Sequence, residues 1–416
     1  MADILASMKN VIYLVADAMR PDYIGCYGNK DALTTEIDRL ANDGVRFDFV
    51  ITAAPWTIPA VTSHLTGIYA HRLGIFSYKK RPYVKSMFNY FKEAGYVTGA
   101  FFDSEKLFQQ WTDGVDHFGK ALDIIGILDF ITQHKDKQFM IFILYRGTHI
   151  PYVLKYSRAS WYRGLSEALE RFRHGDEGIE ENKYRYRLAI ETFSEWYLRA
   201  IIDRLIDENI LHNTAIILTA DHGESWLERI PDKRKVDVFS LHGPLLYNDV
   251  LRIPLIMWNV RKQSNVIKGL TRSVDILPTL LDYVGIEFDA SNLTGISLKN
   301  TIDGKSDNFP EFAISATTAY DDPEKLKTAD TELIYKFSII WRKQWKLIWN
   351  RYAENIVEFE LYNLTTDPDE KLNIYKENIE VANFLFQKLK EEIAIMERQK
   401  ISHREIIERL KQLGYL

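Results

Sequence analysis

The sequence predicts an α/β fold, with a doubly wound, mostly parallel sheet flanked by helices and a smaller C-terminal α+β subdomain. Short continuous apolar runs alternate with longer amphipathic stretches, which is typical of strands buried on both faces by helices. The clearest apolar runs are residues 11–15, 139–145, 215–218 and 254–258. The clearest stretches of helical length are residues 83–94 and 184–208.

The composition indicates a globular chain and argues against several kinds of partner. The 416 residues are 46% hydrophobic and 13% aromatic, which is enough for a large core. The formal net charge is -5 and no basic stripe is present, so we expect no nucleic-acid partner. Cys26 is the only cysteine, which excludes an intramolecular disulfide framework and favours a reducing compartment.

Two further observations lead us to expect a cytoplasmic protein. Residues 1–9 contain no long apolar segment of the kind found in signal peptides. No apolar run approaches the roughly 20 residues that cross a bilayer, so we expect no transmembrane segment.

The chain divides into three predicted parts. Residues 1–305 form the larger domain, in which residues 155–190 are rich in Arg, Glu and Tyr and read as an inserted segment that could form a lid. Residues 306–375 form a strand-rich subdomain, because alternating or apolar runs precede a turn signal at residues 367–370. Residues 376–416 are charged and periodic, as in amphipathic helices that could join subunits of a homo-oligomer.

Acidic and basic side chains follow the apolar runs at the points where the strands should end. Asp17 follows residues 10–16, and Asp221 and His222 follow residues 214–220. His149 lies four residues beyond the run that ends at Tyr145. Ligands of open α/β sheets bind outside the carboxyl ends of the strands, so we expect these side chains to meet at one edge.

This set of side chains suits a divalent metal ion. Two carboxylates and an imidazole, with the Thr57 hydroxyl as a fourth ligand, fit Mn, Zn, Mg or Ca. We therefore predict one ion held by Asp17, Thr57, Asp221 and His222, which would polarise the threonine and shield an incoming anion. Taken singly, each of the charged residues also fits a polar turn at a strand end.

Thr57 is the predicted nucleophile. Its position two residues before Pro59 also fits a simple helix start, in which the threonine caps the helix and the proline lies in the first turn. The two interpretations are compatible, because the N-terminus of a helix also favours the oxyanions of a tetrahedral ester. A hydroxyl at this place is a poor nucleophile until a metal or a base activates it.

Two histidines are further catalytic candidates. An imidazole at His149 or His242 could bind a nonbridging oxygen or protonate a leaving alkoxide, although single histidines are often only packed or solvated. Arg20, His71 and Lys106 are weaker anion-binding candidates, for which a solvated or salt-bridged role is more typical.

Together these segments resemble the sulfatase family within the alkaline phosphatase superfamily. The resemblance extends nearly from end to end of the chain. It is carried by residues 10–28, 35–47, 219–224, 252–255, 274–280, 361–368 and 410–415. It implies an alkaline-phosphatase-like fold and a metal site that includes Asp17 and Asp221.

The departures from the family pattern concern the nucleophile. Sulfatases carry Cys or Ser in a C/S-x-P-x-R signature that is oxidised to formylglycine, whereas this chain has Thr57, Pro59 and Val61. Threonine cannot form that aldehyde. Together with Ala18 and His222, these residues resemble the phosphodiesterase and phosphoglycerol-transferase branches, which use a threonine nucleophile. No further Asp-x-x-x-His pair is found between His149 and His242, so a single ion is expected.

Three functions follow as hypotheses. The first is a metal-dependent hydrolase or transferase that acts on a phosphoric (di)ester through a phospho-Thr57 intermediate. The second is a sulfatase that works without formylglycine. The third is a non-catalytic binder of a glycan or lipid headgroup. The expected partner is accordingly a small-molecule, glycan or lipid-headgroup ester of phosphate or sulfate.

Overall fold

The computed structural model describes residues 10–76, 83–103, 111–152, 158–227, 241–261, 263–318, 335–353 and 356–412. Its strands are β1 (Asn10–Ala16), β2 (Val45–Ile51), β3 (Val97–Phe101), β4 (His117–Gly119), β5 (Phe139–Tyr145), β6 (Thr214–Thr219), β7 (Arg252–Trp258), β8 (Asn265–Arg272), β9 (Phe312–Thr318), β10 (Tyr335–Trp341), β11 (Trp345–Ala353) and β12 (Ile356–Asn363). Its α-helices are α1 (Thr35–Asp43), α2 (Thr57–Thr66), α3 (Ala70–Leu73), α4 (Met87–Glu93), α5 (Ile124–His134), α6 (Arg158–Arg173), α7 (Asp176–Thr192), α8 (Arg199–Asp207), α9 (Asn248–Leu251), α10 (Ile276–Val284), α11 (Lys299–Ile302) and α12 (Ile379–Gln412).

Among the described residues, the larger sheet has eight strands in the order β4-β3-β5-β1-β6-β7-β2-β8. β1 pairs in parallel with both β5 and β6, whereas β7 is antiparallel to its neighbours β6 and β2. Every residue of β1, β5 and β6 is buried, as expected for continuous apolar strands covered on both faces. The predicted α/β fold with a mostly parallel sheet is confirmed.

The second sheet is antiparallel and has the order β12-β11-β10-β9. Within the predicted strand-rich residues 306–375, the apolar or alternating runs at residues 345–349 and 359–363 lie in β11 and β12. Helix α12 buries Leu385 and Leu389 and carries Glu392, which bonds to His71 and Arg72 of α3. We call His71, Arg72 and Glu392 the α3–α12 ion cluster, because it ties the C-terminal helix to the larger part of the molecule.

Two predicted helices differ at their starts. The stretch at residues 83–94 becomes helical only at Met87, because the backbone N–H of Ser86 donates to the Asn89 side chain at 2.8 Å in a capping box. The stretch at residues 184–208 begins earlier, at Asp176, and continues into α8 through a π-helical turn at Phe193–Leu198. Among the residues described above, no helix has both the length and the apolar character of a membrane span.

Candidate active site

The carboxyl ends of two adjacent strands bring three of the predicted metal ligands together. Asp17 follows β1 directly, and Asp221 lies two residues after the end of β6, its parallel neighbour. His222 follows Asp221, and all three side chains are fully buried. We call Asp17, Asp221 and His222 the edge cluster. One potential ligand atom from each lies within 4.8 Å of the others.

The donor atoms of the edge cluster fit a divalent cation. His222 Nε2 lies 3.5 Å from Asp17 Oδ1 and 3.5 Å from Asp221 Oδ2. Within the described part of the chain, these two buried oxygens accept no hydrogen bond. His222 Nδ1 lies 2.8 Å from the Gly223 carbonyl oxygen and donates to it, so the neutral ring carries its lone pair on Nε2. Two buried carboxylate oxygens that accept no hydrogen bond within the described residues, together with an imidazole nitrogen, are ligands that suit Mn or Zn.

The other carboxylate oxygens orient the cluster. Asp221 Oδ1 accepts from the backbone N–H groups of Ala18 at 3.0 Å and His222 at 2.9 Å. Ala18, which precedes Met19 and follows the candidate ligand Asp17, has a φ of 62°, an unusual left-handed conformation for a non-glycine residue. Burial and the neighbouring Asp17 carboxylate raise the pKa of Asp221. The charged form of Asp221 therefore needs a positive partner.

Arg146 supplies a permanent positive charge beside this cluster. It follows β5 directly, and its Nε donates to Asp17 Oδ2 at 3.2 Å. Burial tends to raise the pKa of Asp17, but electrostatic interactions with the His149 imidazole and the Arg146 guanidinium outweigh burial and lower it. The sequence reasoning missed Arg146, although the rule that found Asp17, a charged residue directly after an apolar strand, also applies to it.

Thr57 lies at the start of α2 with its hydroxyl beside the edge cluster. Trp56 takes the N-cap position and Thr57 is the first helical residue, so the threonine does not cap the helix. Thr57 Oγ1 instead lies 3.4 Å from His222 Nε2. The Thr57 hydroxyl is thus close to His222 Nε2, the nitrogen that also faces Asp17 Oδ1 and Asp221 Oδ2. This is the position at which the sequence analysis expected a fourth ligand.

Both candidate histidines pack against the edge cluster. The His242 ring stacks on the His222 ring at a centroid distance of 4.5 Å, and the His149 ring stands edge-on to His242 at 5.2 Å. His149 Nδ1 donates to the Ile150 carbonyl oxygen at 2.8 Å. Burial lowers the pKa of His149 to about 4, so this imidazole is neutral near pH 7.

Glu224 is a second residue to which the sequence reasoning assigned no role. It is fully buried, and its Oε1 lies 3.0 Å from His242 Nδ1. Burial raises the pKa of Glu224 to about 7. The position of Glu224, two residues after His222, is visible in the sequence. Its pairing with His242 joins two loops, and no sequence signal predicts it.

The weaker candidates have other partners. Arg20 makes two hydrogen bonds to Asp22, at 2.9 and 2.8 Å, and a third to the Glu224 carbonyl oxygen. His71 belongs to the α3–α12 ion cluster. Lys106 lies outside the described residues. The salt-bridged role suggested for this group therefore applies to Arg20 and His71.

Comparisons with known protein families agree with this architecture. A family model described as Sulfatase matches residues 9–286, more than half of the chain. A second model, described as N-sulphoglucosamine sulphohydrolase, C-terminal, matches residues 242–399.

Individual relatives are similar at low sequence identity. The protein named uncharacterized sulfatase YidJ from Escherichia coli (strain K12) is 25% identical over 352 residues, covering 67% of this chain and 68% of that protein. A protein solved in complex with its substrate D-glucosamine-2-N,6-O-disulfate has a TM-score of 0.74 at 18% identity, covering 94% of this chain and 98% of the other. The phosphonate monoester hydrolase of Agrobacterium radiobacter has a TM-score of 0.73 at 14% identity, covering 94% and 96%. These two structures share the fold with this chain.

Proposed function

The chain belongs to the sulfatase family, and we propose that it is a metal-dependent hydrolase that cleaves an anionic phosphoric ester with Thr57 as the nucleophile. One observation carries the proposal. Thr57 Oγ1 lies 3.4 Å from His222 Nε2. The same nitrogen lies 3.5 Å from Asp17 Oδ1 and from Asp221 Oδ2, neither of which accepts a hydrogen bond within the described residues. A hydroxyl, two carboxylates and an imidazole therefore converge at the start of a helix.

The edge cluster is the proposed metal site, with the Thr57 hydroxyl as the fourth ligand. One Mn, Zn, Mg or Ca ion bound there would lower the pKa of that hydroxyl and offset the charge of the substrate. Arg146 adds a fixed positive charge next to Asp17. The N-terminus of α2, a helix of 10 residues, favours negative charge on the substrate oxygens.

The reaction proceeds in two displacements. Thr57 Oγ attacks phosphorus, so the Oγ–P bond forms as the P–O bond to the leaving alcohol breaks. The proton lost by the hydroxyl balances the proton gained by the leaving alcohol, and His149 or His242 assists that alcohol. Water then attacks phosphorus, the P–Oγ bond breaks, and a proton from the water regenerates the Thr57 hydroxyl.

The side chain at position 57 is the reason for preferring phosphorus to sulfur. A formylglycine hydrate can expel sulfate from its sulfated intermediate, whereas a sulfate ester of threonine has no such route. A phosphorylated threonine can be released by attack of water at phosphorus. A diester is favoured over a monoester because its single negative charge requires less neutralisation by one metal ion.

A sulfuric ester is the second candidate, and the names of the relatives favour it. The E. coli relative is named a sulfatase, and one structural neighbour was solved with a sulfated glucosamine. The phosphonate monoester hydrolase among the neighbours shows that this fold also occurs in a phosphorus-ester enzyme. A sulfated or phosphorylated glycan is accordingly the substrate class to examine alongside lipid headgroups and small molecules.

The test compares two substrates and two substitutions. The purified protein, loaded in turn with each of the four metals, is assayed on an aryl phosphodiester and on the aryl sulfate with the same leaving group. We expect faster phosphodiester hydrolysis, loss of at least about 10³-fold in Thr57→Val, and retained turnover in Thr57→Ser, which keeps a hydroxyl. Faster sulfate hydrolysis would replace the first candidate with the second, and full activity in Thr57→Val would remove Thr57 from the mechanism.

A further inference from the structure

A buried hydrogen-bonded chain runs from Tyr152 through Glu224 to His242. Glu224 Oε1 lies 3.0 Å from His242 Nδ1, and the Tyr152 hydroxyl donates to Glu224 Oε2 at 3.4 Å. Glu224 is fully buried, and Tyr152 and His242 are nearly so. Both oxygens of the carboxylate are therefore engaged by rings from two different loops.

The ring at the end of this chain lies against the metal-binding edge cluster. His242 stacks on His222 with an interplanar angle of 27°. Its loop is held from the neighbouring sheet, because Thr317 Oγ1 in β9 donates to the Gly243 carbonyl oxygen at 2.6 Å. The hydrogen bond to Glu224 then turns the Nδ1 edge of the His242 ring toward the carboxylate.

The backbone is strained at Tyr152, the first residue of this hydrogen-bonded chain. Tyr152 has a φ of 60°, in the left-handed region that bulky residues seldom adopt. Such conformations are strained and persist where the surroundings enforce them, often at functional sites. In this conformation the Tyr152 ring stands against Tyr186 and Trp226, and its hydroxyl reaches Glu224.

The three histidines near the metal site differ in the partner of Nδ1. His149 and His222 each donate from Nδ1 to a main-chain carbonyl oxygen at 2.8 Å. His242 has a carboxylate at that position. A carboxylate on the far nitrogen of an imidazole fixes the ring and its tautomer and balances charge that develops on the ring during proton transfer.

We infer that Glu224 is a positioning residue that holds His242 with Nε2 toward the substrate, so that His242 rather than His149 assists the leaving alcohol. This inference rests on the proposed function, because it assigns one of the two histidines left open there. Tyr152 contributes indirectly, by holding the second oxygen of Glu224.

The experiment measures how strongly each variant depends on the leaving group. The metal-loaded enzyme is assayed on aryl methyl phosphodiesters that release either 4-nitrophenol or the more basic phenol. In His242→Ala and Glu224→Ala we expect kcat to fall about 100-fold with phenol and under about 10-fold with 4-nitrophenol. Glu224→Gln, whose amide oxygen still accepts from Nδ1, should lose less than Glu224→Ala.

A double variant separates positioning from general damage. If Glu224 acts through His242, adding Glu224→Ala to His242→Ala should change kcat by less than about twofold. Tyr152→Phe should show a smaller loss with the same leaving-group dependence. Tyr197→Phe, which removes another buried tyrosine hydroxyl bonded to the Ala121 carbonyl, is the matched control and should show no such dependence.

Several results would overturn the assignment. These are equal losses on both substrates in Glu224→Ala, multiplicative losses in the double variant, or leaving-group dependence that appears in His149→Ala instead. Loss of bound metal from Glu224→Ala would also overturn it, since Glu224 would then serve the metal site. If Glu224→Ala does not fold, Glu224→Gln and Tyr152→Phe decide the same question.

Failure of the proposed function is distinguishable from failure of this inference. If the wild-type enzyme cleaves aryl sulfates but no phosphodiester, the phosphoric-ester proposal falls, and the same leaving-group series is run on aryl sulfates. Selective losses in the Glu224 and His242 variants on that series would support the positioning role, and uniform losses would end it.

Discussion

The molecule contains two buried charge clusters with opposite electrostatic balance. In the α3–α12 ion cluster, one carboxylate accepts three hydrogen bonds at 2.6 to 2.8 Å from an arginine and a histidine. In the edge cluster, two carboxylates face one imidazole, and an oxygen of each accepts no hydrogen bond within the described residues. The Glu392 carboxylate is neutralised by its own partners. In the edge cluster Asp17 pairs with Arg146, but Asp221 pairs with no arginine or lysine among the described residues.

The pKa values of Glu392 and Asp221 shift in opposite directions. Burial tends to raise the pKa of Glu392, but hydrogen bonds from Arg72 and His71 outweigh it and lower the pKa to about 2. Burial and Asp17 raise the pKa of Asp221. A buried carboxylate whose pKa is lowered by its own partners has a structural role. A buried carboxylate whose pKa is raised indicates a site for a cation.

The largest expected difference between the clusters is in activity. Asp221→Asn keeps an oxygen that can accept from Ala18 and His222 but removes the charge, so turnover should fall about 10³-fold, or about 4 kcal/mol in the barrier. Glu392→Gln should keep kcat per folded molecule within about twofold, because the hydrogen bonds of Glu392 go to His71 and Arg72 and not to the edge cluster. Steady-state kinetics with metal analysis check both, and an Asp221→Asn enzyme with normal turnover would contradict the comparison.

The second difference is in stability. Glu392→Gln leaves Arg72 with an uncompensated, partly buried charge and should lower the free energy of unfolding by about 3 kcal/mol. Glu391→Gln is the matched control on the same helix, since Glu391 is 64% exposed and pairs only with Lys388 at 3.1 Å among the ion pairs of the described residues. Its unfolding should be nearly unchanged. Urea unfolding of both variants decides, and equal effects would show that the α3–α12 ion cluster contributes little.

A smaller effect is expected in the pH dependence of the stabilisation that Glu392 contributes. The folded pKa of Glu392, about 2, lies below its ordinary value of 4.5. The stabilisation is therefore fully present above pH 4.5 and is lost as the pH falls toward 2. The difference in unfolding free energy between wild type and Glu392→Gln should shrink over this window, and a constant difference from pH 6 to pH 3 would contradict the assignment.

Sequence reasoning located the edge cluster because its members follow strands that are apolar throughout. Asp17 and Asp221 end such runs, and parallel strands bring their carboxyl ends to one edge. The same periodicity predicted the sheet and the strand-rich C-terminal part. The beginnings of α4 and α7 were misplaced. At α4 the reason is a capping box, whose local hydrogen bonds hydrophobic periodicity does not report.

Partners that are distant in sequence could not be predicted in this way. Glu392 is one of many acidic residues on a charged helix, and its burial depends on how α12 docks against His71, 321 residues earlier. The pairing of Glu224 with His242 likewise depends on the packing of two loops. Such pairs follow from tertiary packing, which sets side-chain distances that neither residue type nor spacing encodes.

The most direct test of the central claim, that the edge cluster holds a divalent ion, is a melting-temperature titration of metal-stripped protein. Added Mn, Zn, Mg or Ca should raise the melting temperature of the wild type in a saturable way, because ligand binding stabilises the folded state. Without metal, Asp221→Asn should melt at the same or a higher temperature than the wild type, since one of two facing carboxylates is neutral, and metal should not shift it. A wild type that no divalent ion stabilises, or a variant that responds equally, would contradict the account.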